Sequence, residues 1–166
     1  MWATLMREFA DSPAQSRVVR FLLENGFGVS PEGRVTCNGI EIPATHIARA
    51  IGIDRRVVDA TARRIASLEG TAEVFARMRA TPDLSQVADF LGLTVITIIP
   101  PDAQQRGIVG AAVDILSRHN LAIRQIFVTD PYLVEAPKLV IILDEPLPVG
   151  VVEELRALPQ VKQLIF

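Results

Sequence analysis

The sequence holds a single cysteine, Cys37, in 166 residues, so neither a disulfide nor a cysteine-based zinc site can form within one chain. Its neighbours predict an ordinary place for it, small and half-buried in a hairpin. Long apolar runs are also missing. The longest stretches, such as Val95 to Pro101 and Leu139 to Leu143, fall far short of the roughly 20 residues that cross a bilayer. Met1-Trp2-Ala3 opens no basic-then-apolar leader, so the expected location is cytoplasmic, with no membrane partner. Catalytic signatures are absent as well: there is no Gly-x-Ser-x-Gly, no phosphate loop and no dinucleotide fingerprint, and Gly107-Ile-Val-Gly110 alone is too short to stand for one. His46 and His119 have no carboxylate, cysteine or histidine near them at metal-ligand spacing. His119 instead ends a helix, where a cationic side chain suits the macrodipole. The sequence therefore predicts no catalytic residue, no cofactor and no metal site, and a protein that is not an enzyme.

What is present is a globular composition, 49% hydrophobic and 22% charged, enough for one good core or two small ones. The formal net charge of −2 is unevenly spread. Residues 1–80 carry 11 arginines and no lysine against 9 acids, a balance of +2, whereas residues 81–166 carry 6 basic against 10 acidic side chains, a balance of −4. A basic first half is the side on which a nucleic-acid contact is to be sought.

Ser12-Pro13 pairs a capping hydroxyl with proline at the first helical position, and Gly26 is the matching stop, so Pro13 to Asn25 reads as a helix. From Phe27 to Ile42, strand formers alternate with the turn signals Pro31-Glu32-Gly33 and Asn38-Gly39, which predicts a small hairpin or wing. Pro43 then opens two helices, Ala44 to Ile51 and Asp54 to Leu68, hinged at Gly52; further helices are expected over Ala72 to Ala80 and Asp83 to Leu91. After Gly92 the pattern changes to strand, helix, strand, strand, helix, strand: Leu93 to Ile99, Gly107 to His119, Leu121 to Thr129, Lys138 to Leu143, Val149 to Leu158 and Val161 to Phe166. The class is α+β: a helical domain over 1–80 with a hairpin wing, a connecting helix over 81–92, and a ferredoxin-like βαββαβ domain over 93–166. Two of its strands are apolar on both alternating faces, so something must cover the second face, and another copy of the chain is the economical candidate.

In Ala44 to Ile65, Ala48 precedes Gly52 by four residues, a spacing that suits two helices crossing closely in a helix-turn-helix. Ile47, Ile51, Ile53, Val58 and Ile65 supply the shared core, and Asp54 can cap the second helix. At about 100° per residue the second helix puts Val57, Val58, Thr61, Ala62 and Ile65 on one arc and Arg55, Arg56, Asp59, Arg63 and Arg64 on the other. Arg55, Arg56 and Asp59 are expected to reach base edges, Arg63 and Arg64 to meet phosphates, and Thr45, His46 and Arg49 to add backbone contacts. The guanidinium fork suits guanine and phosphate recognition. The same helix pair can also pack on protein.

Residues Leu93 to Phe166 resemble the ACT domain, a βαββαβ module that binds amino acids and dimerises. The residues carrying this resemblance are the first strand ending at Ile99, the loop Pro100-Pro-Asp-Ala-Gln-Gln-Arg-Gly-Ile108 and the helix that Gly107 opens. The loop is longer than the usual Asp-x-Pro-Gly form and has Arg106 where proline often stands. The resemblance implies an amino-acid site at Asp102, Arg106, Gly107 and Ile108, where a helix start offers free N–H groups to a carboxylate and Asp102 can take the ammonium. Arg124 and Gln125 lie mid-strand among apolar neighbours; Arg124 either belongs to that site or pairs with Asp130 or Glu135 to fasten a dimer. The whole chain resembles an archaeal family of predicted regulators of amino-acid metabolism that join a helix-turn-helix to an ACT domain, on Asp54-Arg-Arg-Val-Val58 with Thr61, Ile123-Arg-Gln125, Asp130-Pro131 and Pro137-Lys138-Leu139. That resemblance implies a DNA-binding, amino-acid-responsive transcriptional regulator, a homodimer or dimer of dimers through its ACT sheets. The competing expectation is a regulatory subunit that grips an amino-acid biosynthetic enzyme and uses the ACT domain only to dimerise.

Overall fold

In the computed structural model, which describes residues 2–102 and 106–166, Ser12 and Pro13 start a helix as their chemistry requires. The Ser12 hydroxyl accepts from the Gln15 N–H at 3.4 Å, and helix α2 runs Pro13–Glu24. Before it lies a short helix, α1 (Trp2–Arg7), for which the sequence has no capping signal. The chain then forms an antiparallel ribbon of β1 (Gly28–Val29), β2 (Val35–Cys37) and β3 (Ile40–Glu41), turning between the last two at Asn38-Gly39. Next come α3 (Ala44–Ile51), α4 (Arg55–Ser67) and α5 (Thr71–Arg77). Gly52 ends α3 in the left-handed conformation, φ +65°, and the Ile53 N–H bonds back to the Ala48 carbonyl at 3.0 Å. Asp54 caps α4 by accepting the Arg56 N–H at 2.8 Å. Phe9, Val18, Leu22, Ile47, Val58, Ile65 and Phe75 fill the core of this first unit, which extends to Pro82.

The second unit, Asp83–Phe166, is an antiparallel sheet with two helices. Its elements are β4 (Thr94–Ile99), α6 (Ile108–Arg118), β5 (Ile123–Val128), β6 (Leu139–Leu143), α7 (Val149–Arg156) and β7 (Gln163–Ile165), with the strands in the order β5-β6-β4-β7. Every pairing is antiparallel. Ile108, Ala112, Ile115 and Leu116 of α6 and Val151 and Leu155 of α7 bury themselves against Ile96, Ile98, Leu139, Ile141 and Leu143. The chain is thus mixed α+β, with helices first and an antiparallel sheet last.

One expected helix does not form. Over Asp83 to Leu91 the chain makes turns and a three-residue 3-10 helix, Asp89–Leu91. Asp83 accepts the Ser85 N–H at 2.8 Å, as a cap would, and Gln125 Oε1 accepts the Leu84 N–H at 3.1 Å, but the chain goes on in turns and not in an α-helix. This segment also alters the argument about the sheet's second face. Val140 and Ile142, which point away from the helices, are 1% and 0% exposed in a single chain. Gln125 stands opposite Ile142 on that face, and Ala88 is fully buried, so residues 84–88 supply part of the cover in cis. A second copy is not needed to hide those two residues.

Candidate nucleic-acid interface

The α3–α4 pair is built around Ile47, Ala48, Val58, Thr61, Ala62 and Ile65, all buried. Thr61 joins this apolar set because its hydroxyl donates back to the Val57 carbonyl at 2.6 Å, which leaves no polar atom orphaned. With that arc inward, α4 directs Arg56 and Arg63 outward, seven residues and about 10 Å apart along the axis. Arg49, Arg55, Arg56 and Arg63 are exposed, as are Thr45 and His46. These four arginines have no carboxylate within ion-pair distance among the described residues. Three other arginines of the unit face carboxylates: Arg20 with Glu24, Arg77 with Glu73 and Arg34, at 4.0 Å, with Glu41.

Two residues expected on this surface are elsewhere. Arg64 lies on the flank that faces α1 and α2, where its guanidinium reaches Asp11 at 3.1 Å, Gln15 Oε1 at 2.8 Å and the Glu8 carbonyl at 2.6 Å, 5.0 Å above the Phe9 ring. It fastens the helices together and is not available to a phosphate. Asp59 is half-buried, in a narrow cleft shared with Gly33, Arg34, Val35 and Glu41 of the ribbon. It faces the wing. The ribbon presses on α4 just beyond this point: a Cβ on Gly33 would lie 2.9 Å from the Arg63 Cα. Glu32, at the ribbon's tip, lines a cavity with Arg63; hydrogen bonds from Ser30 and from its own amide hold its carboxyl below the usual range. Sequence reasoning missed Arg34, whose position just past the Pro31-Glu32-Gly33 turn was the available signal. It also missed Arg17, which donates to the Ile51 carbonyl at the end of α3, a contact across 34 residues with no local signature.

The proposed ligand residues of the second unit divide into two groups. Gly107 caps α6 at φ +90° with open space around it, and Asp102 and Arg106 are exposed. The rest of their loop, 103–105, lies outside the described residues. Ile108 is buried in the core, so only its backbone N–H can serve a ligand. Arg124 and Gln125 are not brought to this loop. Gln125 is level with Ile142 and Val95, whereas the loop follows Ile99, so about 13 Å of strand and the width of β6 separate them. Arg124 pairs with Asp144, and neither Asp130 nor Glu135 is the partner, because the register bulge between Ile123 and Gln125 sets it beside the end of β6.

Among the described residues no group of three or more His, Cys, Asp or Glu side chains is placed to hold a metal ion, and no helix is long and apolar enough to cross a membrane. Comparison with family models, with curated proteins and with solved structures finds no match to this chain.

Proposed function

We propose that the chain is a non-enzymatic, ligand-responsive regulator that binds DNA through α3 and α4, read as a helix-turn-helix with β1–β3 as its wing. The observation that carries this reading is the set Arg49, Arg55, Arg56 and Arg63, exposed on α3 and α4 and without carboxylate partners among the described residues, while Arg20, Arg34, Arg64 and Arg77 of the same unit are paired with acids. Unpaired guanidinium groups on the exposed side of a helix suit phosphates and the guanine edge. Selection of a duplex from a random pool, followed by footprinting, tests it. Recovery of a defined site supports the reading, and a pool that stays random overturns it.

The second unit is read as a ferredoxin-like ACT-type domain. The strand order β5-β6-β4-β7 around two helices on one face supports this. An amino-acid carboxylate fits the start of α6 at Gly107 to Gly110, which has no side-chain cap; Arg124 and Gln125 are left out of that site. Self-association of the full chain is proposed through Ile126 and Val128 of edge strand β5, which are exposed and apolar. A second reading, a subunit that grips a biosynthetic enzyme, is favoured by Ile40, 71% exposed in the ribbon.

A further inference from the structure

Between α1 and the link from α4 to α5 lies an open cavity of about 450 Å³, lined by none of the residues assigned to DNA or amino-acid binding above. This is within the range of roughly 300–1,000 Å³ typical of small-molecule sites. Leu5, Leu68 and Val74 give it an apolar lining, and Glu8 and Glu69 bring two carboxylates to it. Neither carboxylate has an ion-pair partner among the described residues. Arg64, the nearest committed cation, reaches the Glu8 main-chain carbonyl and spends its charge on Asp11. Thr71 also lines the cavity; it is 8% exposed, and its hydroxyl has no hydrogen-bond partner among the described residues.

We propose that this cavity binds a small organic cation, an ammonium group on a short apolar body. Each alternative class leaves part of the site unused. An anion meets two carboxylates. A bare metal ion leaves the Leu5, Leu68 and Val74 lining wet, and a neutral hydrocarbon leaves the carboxylates and the Thr71 hydroxyl unengaged. An alkylammonium satisfies all three: its carbons cover the leucines and valine, and its N–H groups donate to Glu8, Glu69 or Thr71 Oγ1. Because Leu68 and Glu69 follow directly from α4, an occupant bridges α1 to the end of that helix. The site does not depend on the DNA-binding reading and can stand if that reading fails.

The test is calorimetric titration of the full chain with n-pentylammonium, 1-pentanol and pentanoate, together with amide chemical-shift mapping. Pentylammonium should bind at least tenfold more tightly than the other two, with shifts centred on Leu68 to Val74. Glu8→Gln with Glu69→Gln should reduce its affinity at least tenfold while leaving the circular dichroism spectrum unchanged. Thr71→Val should weaken it several-fold; if that variant does not fold, the exposed glutamate pair still decides. Equal binding of amine and alcohol overturns the proposal. So do shifts confined to other surfaces, and so does an affinity that ignores the glutamine substitutions.

Discussion

Arg63 and Arg64 are adjacent in sequence yet take different roles, because one residue of α-helix turns the side chain by about 100°. Arg63 points to solvent beside the ribbon; Arg64 swings onto α1 and α2 and holds Asp11, Gln15 and the Glu8 carbonyl. A helical wheel could place both on the polar half of α4. It could not say which edge of that half a neighbouring helix covers, since α1 carries no signal of its own. Arg64→Ala should therefore lower stability by about 1–3 kcal/mol in denaturant unfolding, the cost of removing a charged hydrogen-bond donor that is only partly solvated. Arg63→Ala should change stability by less than about 0.5 kcal/mol. A second residue-scale expectation concerns pH. The His119 ring, 2.7 Å from Glu154 Oε1, and Arg118, 3.0 Å from Oε2, hold the Glu154 carboxyl below the usual carboxylate range. A carboxyl whose folded pKa is depressed contributes stability above its unfolded pKa and loses it as pH falls through the folded value. Glu154→Gln should thus melt below the wild type near neutrality, and the two melting curves should converge in acid.

At the scale of the element, the legible features were those with local chemistry. Ser12-Pro13, Gly52 and Asp54 set helix limits that the structure keeps within about a residue, because a cap acts on the N–H groups two or three positions away. The Asp83 to Leu91 segment reads as a helix from its start signal and its glycine stop, but it forms turns that lie against β5, where the side-chain amide oxygen of Gln125, 41 residues away, accepts the Leu84 N–H. No local pattern can carry that. Two glycines separate local strain from packing. Gly52 has φ +65° with nothing within 4 Å of a Cβ position, so Gly52→Ala should cost only the left-handed penalty, about 1–2 kcal/mol. Gly33 has φ +71° and would also drive its Cβ to 2.9 Å from Arg63 Cα, so Gly33→Ala should cost more in the same unfolding experiment and lift the ribbon off α4.

For the whole molecule, the order of strands and helices was readable from residue 93 onward, since alternation of period 2 and period 3.6 is strong there, and the antiparallel pairing follows from it. The covering of the second sheet face was not. Apolar residues on both faces of β6 show that a cover exists, without saying that residues 84–88 provide part of it. Exposed apolar side chains that remain include Ile126 and Val128 on β5 and Val87, Phe90 and Leu91 before β4. Light scattering of the full chain at micromolar concentration should report a dimer or larger, and Val128→Lys should shift it toward monomer. Of the proposed DNA-binding surface, the helix pair and the exposure of Arg49, Arg55, Arg56 and Arg63 were legible in the sequence, whereas the pairing of Arg64 with Asp11 and the half-burial of Asp59 beside the ribbon were not, because both depend on elements distant in sequence. The most direct test of that surface is the affinity of the full chain for a selected duplex across a salt series, in wild type, Arg55→Ala with Arg56→Ala, and Arg49→Ala with Arg63→Ala. With several phosphates neutralised, affinity should fall steeply with salt, with a log–log slope of about −0.9 per phosphate contacted. Both double variants should flatten that slope, and Arg55→Ala with Arg56→Ala should in addition narrow the gap between the selected and a random duplex. A wild-type affinity that is negligible at low salt, or one that neither pair of substitutions alters, would contradict DNA binding by α3 and α4.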